Sequence, residues 1–234
     1  MSELFSIQLQ NRQQQGRDGV WLDLPTTTEQ VQAALRQIGI SSDNPQGLFI
    51  SGYFAEEEKR FAIPYNMVLA SNVDELNFLA SRLETLSTGE RAELNAALQA
   101  PQSELFSIGR ITDFPENVDY YVHLPDVHGP AQLGDYYLNR SGMVDMPEEW
   151  KGGIDTAQFG RYVAQQEQGA FTEYGYLVKS GDVWQKVHEG QPVPEEYRVL
   201  SFPAPEVLRD AANIPPPVQP ETEPQKVIPI ILNG

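Results

Sequence analysis

Two of the three histidines lie in one acidic stretch, residues 119–140, with the sequence DYYVHLPDVHGPAQLGDYYLNR. Imidazole and carboxylate groups together can bind a metal ion or transfer protons. However, His123 and His128 are five residues apart, and neither helical spacing nor strand alternation places them on one face. We therefore interpret them as structural or surface residues, and we predict neither a metal site nor a cofactor.

Nucleophilic and nucleotide-dependent chemistry have no support in the sequence. It contains no GxSxG, P-loop, GxGxxG or HExxH motif. The absence of cysteine excludes disulfides, thiolate ligands and cysteine nucleophiles, and it fits a cytoplasmic protein. We expect that the protein is not an enzyme. A hydrolase with two paired carboxylates stays open as an alternative, because any acidic protein offers such pairs.

The charge of the chain is strongly negative and is spread along its length. There are 33 acidic and 16 basic residues, for a net charge of −17. A nucleic-acid binder must neutralise phosphates with Lys and Arg, so nucleic acid is excluded as a partner. Anionic membranes are disfavoured for the same reason, and no apolar run is long enough to span a bilayer. The acidity serves either solubility alone or binding to a basic protein.

The hydrophobic patterns predict an α+β protein. In residues 1–62, the segments LFSIQL, VWLDL and GLFISGYF read as strands, and a helix begins at a Thr26–Glu29 capping box. Residues 63–109 read as a helical domain, because Asn72–Glu75 and Ser87–Glu90 have capping-box spacing before leucine-rich stripes.

The second half of the chain consists of two segments that differ in composition. Residues 110–181 read as a second α+β domain, with a helix capped by Asp155 and strands near the end. Residues 182–234 contain ten of the 18 prolines, which indicates an extension or linker. An apolar end to this extension suggests that the chain is part of a longer protein.

Residues 143–161, MVDMPEEWKGGIDTAQFGR, alternate acids with large apolar side chains. This pattern predicts an element that packs on one side and is charged on the other. We predict that Met143, Met146 and Trp150 are interface residues, because Met and Trp are enriched where proteins bind each other.

Several long segments resemble the ArdA-type antirestriction family. The similar text includes GVWLDLPTTTEQVQAALRQIGI, VDELNFLASRLETLS, FPENVDYYVHLPDVHGPAQLGDYYL and VDMPEEWKGGIDTAQFGRYVAQQEQGAFTEYGYL. The segments occur in the same order and spacing, and they extend to about Asp182. The tail beyond that point is not part of the resemblance.

The resemblance implies an elongated protein of three small consecutive domains that forms a homodimer. It also implies a non-catalytic function, in which an acidic protein mimics duplex DNA and occupies the DNA-binding groove of type I restriction–modification enzymes. DNA of a mobile genetic element would thereby escape cleavage. Residues 143–161 correspond to the antirestriction signature, which the resemblance associates with activity and with the dimer contact.

Carboxylates on the surface are then the candidate phosphate substitutes. Residues 1–181 contain 25 acids and 12 bases, which is sparse beside a duplex that carries one charge per ~1.7 Å. An alternative is an acidic interaction module of a larger mobile-element protein with a different basic partner. The predicted partner-binding residues are Glu56, Glu57, Glu58, Asp74, Glu75, Glu84, Asp113, Glu116, Asp119, Asp126, Asp135, Asp145, Glu148, Glu149, Asp155, Glu167 and Glu173.

Overall fold

The computed structural model describes residues 4–14, 18–56 and 60–205. Within these ranges the chain is a mixed α+β protein with two three-stranded antiparallel sheets and several helices. The predicted fold class is confirmed at this level. The division into three consecutive domains remains a prediction.

The N-terminal sheet has the strand order β2-β1-β3, and α1 packs on one of its faces. Alternation of side chains directs Ile7 and Leu9 of β1 into the core. The three predicted strands are confirmed. The elements are β1 (Phe5–Asn11), β2 (Val20–Leu24), α1 (Thr28–Gln37) and β3 (Leu48–Phe54).

The predicted Thr26–Glu29 capping box is wrong by one residue. Thr27 caps α1, and Gln30 completes the box. Thr26 is buried instead, and its backbone N–H donates to Asn77 Oδ1 at 2.7 Å. A tertiary contact thus decides between two threonines that are equivalent in the local sequence.

Four helices follow, and both predicted capping boxes in this region are confirmed. The Asn72–Glu75 box begins α3, and the Ser87–Glu90 box begins α4. The leucine stripe of α3 is fully buried. The elements are α2 (Tyr65–Leu69), α3 (Val73–Glu84), α4 (Thr88–Gln99) and α5 (Ile108–Thr112).

The C-terminal sheet has the order β4-β6-β5, and β5 and β6 form a hairpin. Helix α6 continues into a π-helical turn, Tyr136–Arg140, and packs closely against α8. Asp155 caps α8, as predicted. The elements are β4 (Tyr121–Leu124), α6 (Pro130–Asp135), α7 (Glu148–Lys151), α8 (Thr156–Glu167), β5 (Ala170–Thr172) and β6 (Gly175–Lys179).

Residues 184–202, which we call the strap, lie in the predicted extension and pack on the helices. Val199 is buried in the same core as the α3 leucines, and Trp184 packs against that core. Asn77 donates to Tyr197 O at 3.0 Å. Asn117 Oδ1 accepts from Gln185 N at 2.7 Å. The first part of the extension therefore has a defined place on the fold, whereas residues 206–234 lie outside the described ranges.

Among the described residues, the longest α-helices contain 12 residues. None has the length and apolar character of a membrane span.

Candidate functional site

Some predicted partner-binding carboxylates have no competing partner within the described chain. They are exposed, and no hydrogen bond or ion pair with another described residue engages their side chains. These residues are Asp119, Asp126, Asp145 and Glu149. Their positions, in a 3-10 turn before β4, in the loop after it and around α7, follow from local turn structure. We call them the free carboxylates.

A second group of predicted acids is exposed or half-buried but paired with a cation. Glu116 binds Arg82. Asp135 lies 3.2 Å from Arg140, and Glu148 lies 2.6 Å from Lys151. Their negative charge is compensated locally, so they add less to the potential that a partner meets than the free carboxylates do.

The strap engages two more of the predicted acids. Asp113 is fully buried and accepts hydrogen bonds from the backbone N–H groups of Val187, His188 and Glu189 at 3.2, 2.6 and 3.2 Å. The prediction that Asp113 contacts a partner is therefore wrong. Asp74 Oδ1 accepts from the backbone of Val199 and Leu200, both at 2.7 Å. These carboxylates fix the strap on α3 and α5.

Other predicted acids have structural partners as well. Glu75 and Asp155 cap helices, and Asp155 stays exposed while it does so. Glu173 accepts from Gln99 Nε2 at 3.1 Å. Glu56 and Glu84 each have an interaction within the chain. Glu57 and Glu58 lie outside the described residues.

Glu167 joins three elements of the C-terminal region. Its carboxylate accepts hydrogen bonds from the hydroxyls of Tyr137 in the π-helical turn and Tyr176 in β6. Burial, together with the nearby carboxylate, raises the pKa of both tyrosines. Glu167 thus orients the turn that follows α6. Its prediction as a surface acid did not include this structural role.

Several cations among the described residues form ion pairs with acids of the same chain. Arg110 is buried, and it pairs with Glu104 at 2.8 Å and Glu189 at 3.0 Å. Lys179 donates to Glu104 at 2.8 Å, and this bond lowers the pKa of Glu104. Neither Glu104 nor Glu189 was predicted, because their partners are up to 79 residues away. These ion pairs do not involve the free carboxylates.

Glu93 is a carboxyl group of a different kind. Burial, together with the negative charges of Glu90 and Asp119, raises its pKa to about 8. It is therefore mostly protonated at neutral pH and does not contribute a full charge to the surface. The sequence pattern of α4 did not predict that Glu93 is buried.

The predicted interface residues differ in exposure. Met143 and Trp150 are 76% and 66% exposed, whereas Met146 is half-buried. Tyr162 on α8 is 60% exposed and was missed by the sequence patterns. Met, Trp and Tyr are enriched in protein interfaces, so these exposed side chains are available to a partner.

Among the described residues, the histidines belong to no metal-binding group, and the acids of one cleft already have partners. His123 Nε2 bonds to Tyr174 O at 2.7 Å, and His128 is exposed. Within those ranges no group of three His, Asp or Glu side chains is arranged to hold a metal ion. A cleft of about 890 Å³ between α3, α5 and the strap is lined by carboxylates that already bind backbone or arginine groups: Asp74, Glu75 and Glu189.

Comparison of the chain with known protein families gives one match. The model of the ArdA antirestriction protein family matches residues 15–178, a range that contains β2 and ends within β6. A comparison with curated proteins found no match. The matched region contains all four free carboxylates and the exposed Met143 and Trp150, and it ends before the strap. Because the match covers well over half of the 234 residues, the chain belongs to the ArdA family of antirestriction proteins.

Proposed function

We propose that this protein inhibits type I restriction–modification enzymes without catalysis. It presents carboxylates in place of the phosphates of duplex DNA and occupies the DNA-binding groove of the enzyme. The observation that carries this proposal is the family match over residues 15–178. The free carboxylates support it, since they are exposed and form no ion pair with another described residue, whereas Arg140 and Lys151 bind other acids.

The physical basis is competition for a basic groove. A single exposed ion pair contributes only ~1 kcal/mol or less, so inhibition requires many such contacts at once. The free carboxylates alone are few beside the phosphates of a duplex. Apolar contacts that DNA cannot make supply the remaining affinity, because protein inhibitors can use surface that the natural ligand lacks.

A homodimer is part of the proposal. Met143 and Trp150 are exposed in the region that resembles the family's signature, and Tyr162 adds a third large side chain. A dimer would bury these groups and would double the length of acidic surface that faces the enzyme. Sedimentation at micromolar concentration tests this point, and a Trp150→Ala variant is expected to shift the protein towards monomer.

A competition experiment tests the function. The purified protein is titrated into a complex of a type I methyltransferase core and a labelled duplex, at low and at physiological salt. We expect displacement that weakens as salt rises, because screening reduces attraction between exposed charges. If no displacement occurs even at low salt, the proposal is wrong.

Matched variants distinguish the effect of the free carboxylates on affinity from the effect of net charge. One variant changes Asp119, Asp126, Asp145 and Glu149 to their amides. The control changes four other exposed acids, Asp18, Asp43, Glu195 and Glu196, and so has the same net charge. We expect the first variant to lose roughly tenfold in affinity, equivalent to ~1.4 kcal/mol, and the control to lose much less.

A further inference from the structure

Two large aromatic side chains lie in water on the outer face of the N-terminal sheet. Trp21 of β2 is 49% exposed, and Phe54 of β3 is 58% exposed. Their ring centroids are 6.4 Å apart, and the rings meet edge to face at 73°. Helix α1 and the core occupy the opposite face of this sheet, so folding does not account for the pair.

The pairing of the strands sets the position of the indole ring. Trp21 is opposite Gln8 of the central strand, and Gln8 is in turn opposite Gly52 of β3. A β-carbon at position 52 would lie only 3.1 Å from Trp21 Cη2. The ring therefore extends across β1 into the space that Gly52 leaves, where it meets Phe54. Trp21 and Phe54 thus contact each other in the chain without a partner.

A carboxylate accompanies the rings. Asp23 lies two residues after Trp21 on the same strand face, so their α-carbons are ~7 Å apart, and it is exposed. The Ser6 hydroxyl donates to Asp23 Oδ1 at 2.8 Å and orients the carboxylate. Asp23 Oδ2 has no hydrogen-bond partner among the described residues.

Three other exposed or half-exposed aromatic rings lie close to one of the chain's own cations. Arg110 lies 4.4 Å from the centroid of Phe106, Arg140 lies 5.7 Å from Tyr136, and Lys179 lies 5.8 Å from Tyr120. No cation of the described residues lies over Trp21 or Phe54. The sheet face thus combines an uncovered aromatic surface with an oriented anion.

We propose that Trp21, Phe54 and Asp23 form a binding site for an arginine side chain of a basic protein partner. The guanidinium stacks on the indole while its N–H groups donate to Asp23. Arginine fits better than lysine, because its planar group can stack and bond at the same time. The partner's identity rests on the proposed function, in which the arginine belongs to the DNA-binding groove. Stacking adds affinity that salt screens less than it screens an exposed ion pair.

A peptide titration tests the chemistry of the site without any restriction enzyme. Hexa-arginine is added to the full chain, and the indole N–H resonance of Trp21, identified by its loss in Trp21→Phe, is followed by NMR. We expect a saturable shift, with roughly fivefold weaker binding of hexalysine and of the Asp23→Asn variant. The control Asp43→Asn removes an equal exposed charge and is expected to bind as the wild type does. An unmoved Trp21 resonance overturns the proposal.

The duplex competition then tests the partner. We expect Trp21→Ala to displace duplex roughly tenfold less well, by the same factor at low and high salt, and Trp21→Phe to retain most of the activity. Circular dichroism must show that both variants are folded. If Trp21→Ala is as potent as the wild type, the site does not meet the enzyme. If the wild type displaces no duplex while Trp21 still responds to hexa-arginine, the proposed function fails and the arginine site remains.

Discussion

At the scale of single residues, Glu93 couples stability to pH. Its folded pKa of about 8 lies above the usual 4.5, so the native state holds the proton more tightly than the unfolded state does. Its contribution to stability is fully present below pH 4.5 and is lost as pH rises through about 8. We predict that Glu93→Gln removes this loss and raises the free energy of unfolding at pH 8 by about 1–2 kcal/mol, with allowance for solvent screening.

Urea unfolding at pH 4 and pH 8 measures this effect. The variant and the wild type are expected to be nearly equal at pH 4, where Glu93 is protonated in both the native and the unfolded state, and to differ at pH 8. Glu84→Gln, a change at another half-buried glutamate, is the control. Equal stability of the Glu93→Gln variant and the wild type at pH 8 would contradict the prediction.

Asp113 shows how a buried anion stabilises a strap. Its carboxylate satisfies three backbone N–H groups, and an amide in its place would remove the charge and turn one acceptor into a donor. We predict that Asp113→Asn lowers the free energy of unfolding by about 2–4 kcal/mol. Hydrogen exchange is expected to accelerate first at Val187, His188 and Glu189. Asp43→Asn, at an exposed acid, is expected to change stability by less than about 0.5 kcal/mol.

At the scale of elements, two glycines set the distance between α6 and α8. A β-carbon on Gly134 would overlap the carbonyl oxygen of Thr156, and one on Gly160 would overlap that of Pro130. The two helices therefore touch through their backbones. We predict that Gly134→Ala or Gly160→Ala lowers the free energy of unfolding by about 2–4 kcal/mol, because the helices must separate.

The control for this prediction lies in α4. A β-carbon on Gly89 would meet no atom within 4 Å. Gly89→Ala is therefore expected to stabilise the protein by about 0.5–1 kcal/mol, since alanine loses less backbone entropy in a helix. Thermal unfolding followed by circular dichroism compares the three variants. If all three changed stability in the same direction, backbone contact between α6 and α8 would not be the cause.

At the scale of the whole molecule, the family match ends before the strap, which contributes to the core of the fold. The strap buries Val199 and satisfies Asp74 and Asp113, yet it lies beyond residue 178. We predict that a chain truncated after residue 182 loses at least ~3 kcal/mol of stability, because it exposes core and leaves buried acceptors unpaired. A chain that ends at residue 205 keeps every described strap contact and is the control. Similar urea midpoints for both truncations would refute the prediction.

Local patterns were sufficient for most of the elements. The boxes at Asn72–Glu75 and Ser87–Glu90 and the alternation in β1 act through neighbours only a few residues away, so the sequence predicted them correctly. The same applies to the family, which several ordered segments identify together. Thr26 was misread because its backbone bonds to Asn77, 51 residues later.

What the sequence by itself determined is an acidic α+β chain of the ArdA family with no excess of cations for nucleic acid. Only the tertiary structure decided which carboxylates face water. Asp113 bonds to a backbone group 75 residues away, and Asp74 to one 125 residues away. The physical reason is that a carboxylate's charge is the same everywhere in the sequence, whereas its availability depends on the donors that folding brings to it.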